Sequence, residues 1–524
     1  MKKENIFLVM SLLFIISTKA QSEIKLNVLD LRIDNKYAQE NVFLKKQADF
    51  SSLPKYEEVK AKLPIAKWPA RQDVIDCYNY TWQTAFKNLY QPTPENGFVS
   101  PFIDAAFSND IFMWDTGFML MFGRYGANAF NFQGSLDNFY AKQQKDGYIC
   151  REIRRSDGTD LFERYDISST GPNVLPWVEW EYYLNFNDKE RLKAVFPPLL
   201  AYYQWFRTYR SWPDGSYFSS GWGCGVDNQP RLPEGINATW GQGHMSWIDI
   251  TTQEILSGNI LIKMAKCIGR ENDVKDIEEE VASLTEYVNK NMWDDKTAFY
   301  FDRYKDGKLS TTKSIVAYWT LISQVADQKR ADRFIAHLTN KKEFDRYVRI
   351  PALSADNPEY RADGGYWNGG VWAPVNYMVL RGLKNYKADS LAHEIAMNNL
   401  NNVVKVYKKT GTIFEHYAPE RTEGRGVQNF VGWTGLIPIT VLFEYVFGIC
   451  SDVPNNTLVW DVRLLDEHGI DNYPFGKKDI INLTCAKRKR TTEKPKLKIE
   501  STIDFKLKLI WAGGNEIIDI KANK

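Results

Sequence analysis

Between Arg71 and Ile449 apolar side chains recur at three- and four-residue intervals, the spacing that gathers them on one face of an α-helix. The clearest runs are Arg71–Tyr90, Asn173–Phe186, Glu190–Tyr209, Thr251–Ile268, Val274–Met292, Thr312–Val325, Trp367–Leu383 and Trp433–Phe447, out of roughly twelve such segments. Long irregular stretches rich in Gly, Pro, Asp and Trp separate alternate pairs, and loops of that length inside a compact domain are usually functional. Paired helices with an elaborated loop after every second one predict a mainly α fold. Its form would be an α/α toroid of six inner and six outer helices, with the loops gathered at one mouth. No repeat of fixed period supports an open solenoid instead.

The flanks read differently. Residues 21–70 open on an alternating run, Ile24, Leu26, Val28, then Leu29, Leu31 and Ile33 after a one-residue slip, and continue with Lys and Pro as an extended lead-in. Residues 451–524 lose the helical spacing. Short alternating runs at Asp479–Cys485, Leu497–Ile503 and Phe505–Trp511 predict a small C-terminal β-rich appendage, with Lys487–Arg490 on a solvated hairpin rim. The catalytic helical region is thus expected at 71–450. Residues 1–20, with Lys2 and Lys3, an apolar run from Ile6 to Ile16 and then Thr18-Lys19-Ala20, have the order of a secretory signal peptide cleaved after Ala20. A periplasmic or extracellular protein is expected. No later stretch approaches the ~20 apolar residues of a membrane-spanning helix.

Composition narrows the classes. The 524 residues carry a net charge of +2 and are 44% hydrophobic, the profile of a soluble globular protein. So balanced a charge argues against a nucleic-acid partner, and a monomer is expected. The six cysteines show no CxxC spacing, so no zinc site is indicated. Cys450 with Cys485 is the one candidate bridge, and the other thiols read as free. No metal or other cofactor is expected. Aromatic residues make up 14% of the chain and 17 are Trp. Trp faces stack on sugar C–H groups in clefts, but a Trp-rich core would give the same count, and composition leaves the two open.

Glycosidic hydrolysis needs one carboxyl to protonate the leaving oxygen and a second to activate water or attack carbon. The loops offer acids beside aromatics: Asp115 in Phe112-Met113-Trp114-Asp115-Thr116, Asp227 in Trp222-Gly223-Cys224-Gly225-Val226-Asp227-Asn228, and Glu415 in Phe414-Glu415-His416-Tyr417. Any one of them alone is by default a turn residue or helix cap. Taken with Asp146 to Glu152, Asp227-Asn228-Gln229-Pro230-Arg231 and Tyr366-Trp367-Asn368-Gly369-Gly370-Val371-Trp372-Ala373-Pro374-Val375-Asn376, they form an ordered series from Trp114 to Trp433. The series resembles the successive signatures of glycoside hydrolase family 63, which is similar to the trehalases.

That resemblance implies a six-hairpin (α/α)6 barrel and an inverting α-glycosidase, an α-glucosidase first, acting on an oligosaccharide or other glycoside. It puts the general acid on Asp227 and the general base on Glu415. Asp115 corresponds to the acid that holds sugar hydroxyls, and Trp114, Arg151, Glu152, Trp367, Asn368 and Trp372 to cleft-lining positions. Trp222, Asn228, Arg231, Asn376, His416 and Trp433 complete the expected substrate-binding set. The acid loop departs from the pattern, because Gly223 to Val226 separate Ser220-Gly221-Trp222 from Asp227. Other enzymes on such a toroid (a trehalase, a rhamnosidase-like hydrolase, a polysaccharide lyase) and a non-catalytic sugar-binding protein are the alternatives.

Overall fold

The computed structural model describes residues 34–237 and 239–523. The expected signal peptide and the alternating run from Ile24 to Ile33 lie outside them. The fold is mainly helical, and its helices are of two kinds. Met113–Gly123 (MWDTGFMLMFG) is buried along its whole length, as an apolar-all-round sequence requires. Lys275–Asn291, by contrast, buries Ile277, Val281, Leu284 and Val288, a single stripe at steps of four, three and four.

The buried segments touch in a cycle. Met113–Gly123 packs on Leu175–Phe186, which packs on Ile248–Ile268, and that helix packs on Trp319–Ile322. Trp319–Ile322 meets Ala373–Asn385, which meets Ile437–Val446, and Ile437–Val446 returns to Met113–Gly123. Striped helices flank the cycle: Lys189–Tyr209 and Lys275–Asn291 lie on Ile248–Ile268, while Asp389–Thr410 lies on Ile437–Val446.

Several boundaries differ from expectation for local reasons. The segment expected at Thr312–Val325 is a 3-10 turn, Ile315–Tyr318, and one α turn, Trp319–Ile322. The Ser314 side chain caps its start, and Gln324, at φ 59, ends it. The segment expected from Trp367 starts at Ala373 with Pro374 in its first turn, because Pro suits a helix start and Gly369-Gly370 ahead of it favours loop. Trp433–Phe447 divides into a 3-10 turn and a π-helix, Ile437–Val446.

From Ile449 onward the chain forms two four-stranded sheets. One orders Ile449–Asp452, Thr457–Asp461, Phe505–Trp511 and Gly514–Ile520, with the middle pair parallel. The other orders Ile65–Lys67, His468–Pro474, Ile480–Cys485 and Leu497–Ser501. Its first strand comes from the lead-in, with Ile65 opposite Asp471. His468–Pro474 escaped the alternation reading because a bulge between Ile470 and Tyr473 breaks its phase. Two expectations are corrected here. Arg488 is buried rather than on a solvated rim, donating to the carbonyls of Val462, Leu464, Thr491 and Glu493. Cys450 and Cys485 are both free thiols, and the Cys450 sulfur takes a hydrogen bond from Lys384 Nζ at 2.9 Å. Among the described residues no helix is long and apolar enough to cross a membrane.

Candidate active site

Loops at one end of the buried helices enclose a cavity of about 270 Å³. Its wall is aromatic and acidic: Trp114, Trp222, Tyr366, Trp367 and Trp433 with Phe107 and Phe112, and among them Asp115, Glu152, Asp227 and Arg151.

A short antiparallel ladder builds the first side. Asp110–Phe112 pairs with Glu152–Arg154, placing Phe112 opposite Glu152, and Met113 N–H bonds the Arg151 carbonyl at 2.8 Å. The helix Met113–Gly123 therefore starts at the cavity, with Trp114 and Asp115 in its first turn beside Arg151 and Glu152. Burial lifts the Asp115 carboxyl well above the usual range, and the charge of Glu415 lifts it further. Asp115 Oδ1 and Trp114 Nε1 meet no hydrogen-bond partner among the described residues. Glu152 is pushed up to about 7 by burial, against the pull of Arg151. Arg151 is committed: Nε donates to the Ser168 carbonyl at 2.6 Å, Nη1 lies 3.5 Å from Glu152, and the guanidinium covers the Phe162 ring.

The second side is the acid loop. Gly221–Cys224 makes one helical turn, capped by the Ser220 hydroxyl and ended by Gly225 at φ 79. The residues that interrupt the family pattern thus form a turn with Trp222 at its start and Asp227 just past its end. Asp227 Oδ2 accepts a hydrogen bond from the Tyr366 hydroxyl at 2.8 Å. Burial raises the Asp227 carboxyl above its ordinary value, while the Tyr366 bond and the Arg151 charge oppose that rise. Asn228 fastens the loop that carries Tyr366: its side chain donates to the Gly365 carbonyl at 3.2 Å and accepts from Trp367 N–H at 3.0 Å.

Glu415 completes the set from the strand Phe414–Tyr417, which pairs with Gly424–Gln428. It is not part of the cavity wall itself, but its charge is felt by Asp115 and Tyr366, and that of Asp227 by Glu415. Its Oε2 accepts from Val427 N–H at 3.2 Å, and its carbonyl accepts from Trp433 Nε1 at 2.8 Å. Burial raises the Glu415 carboxyl, the Val427 bond opposes this, and Asp227 adds to it. Gly426, at φ 73, lies against Glu415 so closely that a methyl group there would overlap Oε2 and sit 3.0 Å from Glu415 Cβ and His416 Nδ1.

Four expected binding residues do structural work instead. Arg231 is 1% exposed and is saturated by Asp249 and Asp302, at 2.7–2.8 Å for all four contacts. Trp372 is fully buried between Trp367 and His416, its ring 3.9 Å and 4.1 Å from theirs and nearly parallel to both. His416 is therefore a stacking partner, and burial holds its imidazole down to about 4. Asn376, also fully buried, spends its amide on Ile350 and on the Trp372 carbonyl. Asn228 and Asn368 lie behind the wall; Asn368 Oδ1 has no partner among the described residues. Motif position alone cannot separate a wall residue from the one packed behind it. Phe107, Phe112 and Leu161 in the wall were not expected from the sequence, nor was Tyr366 as the partner of Asp227, although Tyr366 opens the motif that runs to Asn376.

Buried carboxyls converging on an aromatic cavity beside a ring of contacting helices provide what cleavage of a sugar bond requires, and a family match makes the protein a glycoside hydrolase. Residues 109–434 match the mannosylglycerate hydrolase MGH1-like glycoside hydrolase domain, and the chain belongs to this family, glycoside hydrolase family 63. It is similar to the mannosylglycerate hydrolase of Thermus thermophilus, 22% identical over 62% of this chain and 92% of that protein. The probable mannosyl-oligosaccharide glucosidase of Schizosaccharomyces pombe is 24% identical over 47% of this chain, which spans about a third (34%) of that protein's length. Among solved structures, a family 63 mannosylglycerate hydrolase from Thermus thermophilus in complex with glucose superposes with a TM-score of 0.57 at 18% identity, covering 69% of this chain and 99% of that one.

Two outcomes follow from this geometry. Arg231→Met strands two buried carboxyls and is expected to cost ~3–5 kcal/mol of stability, measured by denaturant unfolding; an unchanged midpoint would show that the triad carries no load. Gly426→Ala displaces the Glu415 carboxylate and is expected to lower kcat up to ~100-fold, the scale of an ångström misplacement, along with a modest drop in melting temperature from the strained positive φ. Steady-state rates equal to wild type would show that the carboxylate has room to shift.

Proposed function

We propose that this chain hydrolyses an α-linked glucoside with inversion of the anomeric centre, Asp227 as general acid and Glu415 as general base. The observation that carries the reading is the pairing of two buried carboxyls at one cavity, Asp227 in its wall and Glu415 close enough to feel the Asp227 charge. Both are raised by burial and neither sits in an ion pair with a cation, since the neutral His416 is 3.9 Å from Glu415. Asp227 borders the cavity among aromatic rings, where its protonated form is favoured. Glu415 keeps a backbone N–H that favours its ionised form. One is disposed to give a proton to a leaving oxygen, the other to take one from water. The ring of contacting helices supports a six-hairpin (α/α)6 toroid over 71–450. Residues 1–20 support export. The glucosidase names among the relatives support the α-glucoside. The Thermus mannosylglycerate hydrolase matches more of both chains than the yeast glucosidase does, which makes a glycerate-bearing substrate the second reading.

Proton NMR in the first minutes of hydrolysis is expected to show β-glucose as the first product; α-glucose would mean retention and remove the inverting assignment. Asp227→Asn is expected to lose ~10²–10⁴-fold on unactivated glucosides but much less on α-glucosyl fluoride, whose leaving group needs no proton. Glu415→Gln should lose activity on both.

The pH profile gives a separate check. Glu415 must be ionised, so activity falls as pH drops through its raised pKa. Asp227 must be protonated, so activity falls as pH rises through its own. Tyr366→Phe removes a bond that stabilises the Asp227 carboxylate, so the Asp227 pKa rises further. The alkaline limb of kcat/KM should then move to higher pH, and a limb that stays or moves down would sever Tyr366 from the acid.

A further inference from the structure

We propose that Trp222 and Trp240 form a stacking platform for a neutral sugar ring on the leaving-group side of the cleaved bond, so that the substrate is an oligosaccharide rather than a glycoside with an anionic aglycone. The inference rests on the α-glucosidase reading above and deepens it.

The position comes first. The leaving group must lie beside the acid, and Trp222 stands on the same turn as Asp227, in the cavity wall. Trp240 packs against it, with ring centroids 3.9 Å apart and planes tilted by 50°, and the Trp222 backbone N–H bonds the Thr239 carbonyl at 3.0 Å, tying the two segments together. Trp240 is 49% exposed, while seven other Trp are among the largest fully buried side chains. An indole left this open next to a catalytic cavity offers its face to an amphipathic ring.

Size gives the second argument. About 270 Å³ lies just below the ~300–1,000 Å³ usual for small-molecule sites, so a substrate of several rings continues outside the cavity. Along that exit Trp222 and Phe162 meet edge to face, and Tyr165 is also exposed.

Charge gives the third. Arg151 is the one cation in the cavity wall, and Ser168, Glu152 and the Phe162 face already engage it. Asp115, Glu152 and Asp227 share the same wall. A carboxylate-bearing aglycone would find, among the described residues of the wall, no cation that is not already engaged, and Glu152 beside it, whereas a neutral sugar needs only an apolar face and hydroxyl partners.

The test compares kcat/KM on α-glucosyl fluoride, which has no aglycone ring, with that on α-linked gluco-disaccharides and gluco-trisaccharides and on α-glucosylglycerate. In Trp240→Ala the trisaccharide-to-fluoride ratio is expected to fall ~3- to 10-fold, the worth of one aromatic stacking contact, and Trp240→Phe should recover most of it. Wild type should prefer the neutral trisaccharide to the glycerate. An equal loss on fluoride and trisaccharide, an unchanged ratio, or a preference for the glycerate would each overturn the platform. If wild type turns over none of these substrates, the α-glucosidase reading falls. Titration calorimetry with the trisaccharide then decides on the platform by whether Trp240→Ala weakens binding.

Discussion

The active-site end of this molecule depends on a stack of three flat rings. Trp367 lies on Trp372 at 3.9 Å and 6°, and Trp372 lies on His416 at 4.1 Å and 11°. Reciprocal backbone bonds between Val371 and Tyr417 run beside the stack. Tyr366, the partner of Asp227, is next to the first ring, and Glu415 is next to the last. The stack thus sets the position of Tyr366, the hydrogen-bond donor to Asp227, relative to Glu415, although the two carboxyls come from distant parts of the chain. Its third ring is a neutral imidazole. Burial keeps His416 uncharged, so Glu415 has no buried cation beside it and its negative charge remains available to polarise water.

Buried charges in this protein fall into two groups. Arg231 between Asp249 and Asp302, and Arg124 with Glu444, Glu181 and Tyr125, are matched groups that hold helices and loops together. Removing one member of such a group strands the rest, which is why they behave as structure. The carboxyls of Asp115, Glu152, Asp227 and Glu415 are different: burial raises all four, and Arg151 is the one cation drawn into their midst. Burial raises Asp249 in the Arg231 group as well, so what sets the cavity carboxyls apart is that several of them share a single, already engaged guanidinium.

The helical body was legible in the chain because the spacing of a stripe such as Ile277, Val281, Leu284 and Val288 fits the period of a helix and not that of a strand. Fully apolar segments such as Met113–Gly123 carry no stripe, and their helical state is decided by neighbours on every side. Strands were legible where alternation is clean, as at Phe505–Trp511, and lost where a bulge shifts its phase, as at His468–Pro474. In the site, Trp114, Asp115, Arg151, Glu152, Trp222, Trp367 and Trp433 read as cleft residues and line the cavity. Arg231, Trp372 and Asn376 sit in the same motifs yet point into protein. A motif records that a residue is needed near the site, and only packing tells whether it faces the cavity or supports what does. The Trp count left core and cleft open, and both hold: Trp82, Trp205 and Trp247 are core, while Trp114, Trp222, Trp367 and Trp433 are wall.

Asp115 shows how so many acids coexist in one cavity. Placed at the start of a helix, it has backbone N–H groups that favour its ionised form, yet burial and the nearby Glu415 charge outweigh them. Among the described residues no cation pairs with it and Oδ1 has no partner, so its protonated form is favoured. A protonated Asp115 removes one of the two negative charges that would otherwise repel across the cavity. A protonated Asp115 can also donate to one sugar hydroxyl while accepting from another, which a carboxylate cannot do. In the proposed mechanism Asp115 does no proton transfer with the glycosidic bond, and its part is to hold sugar hydroxyls.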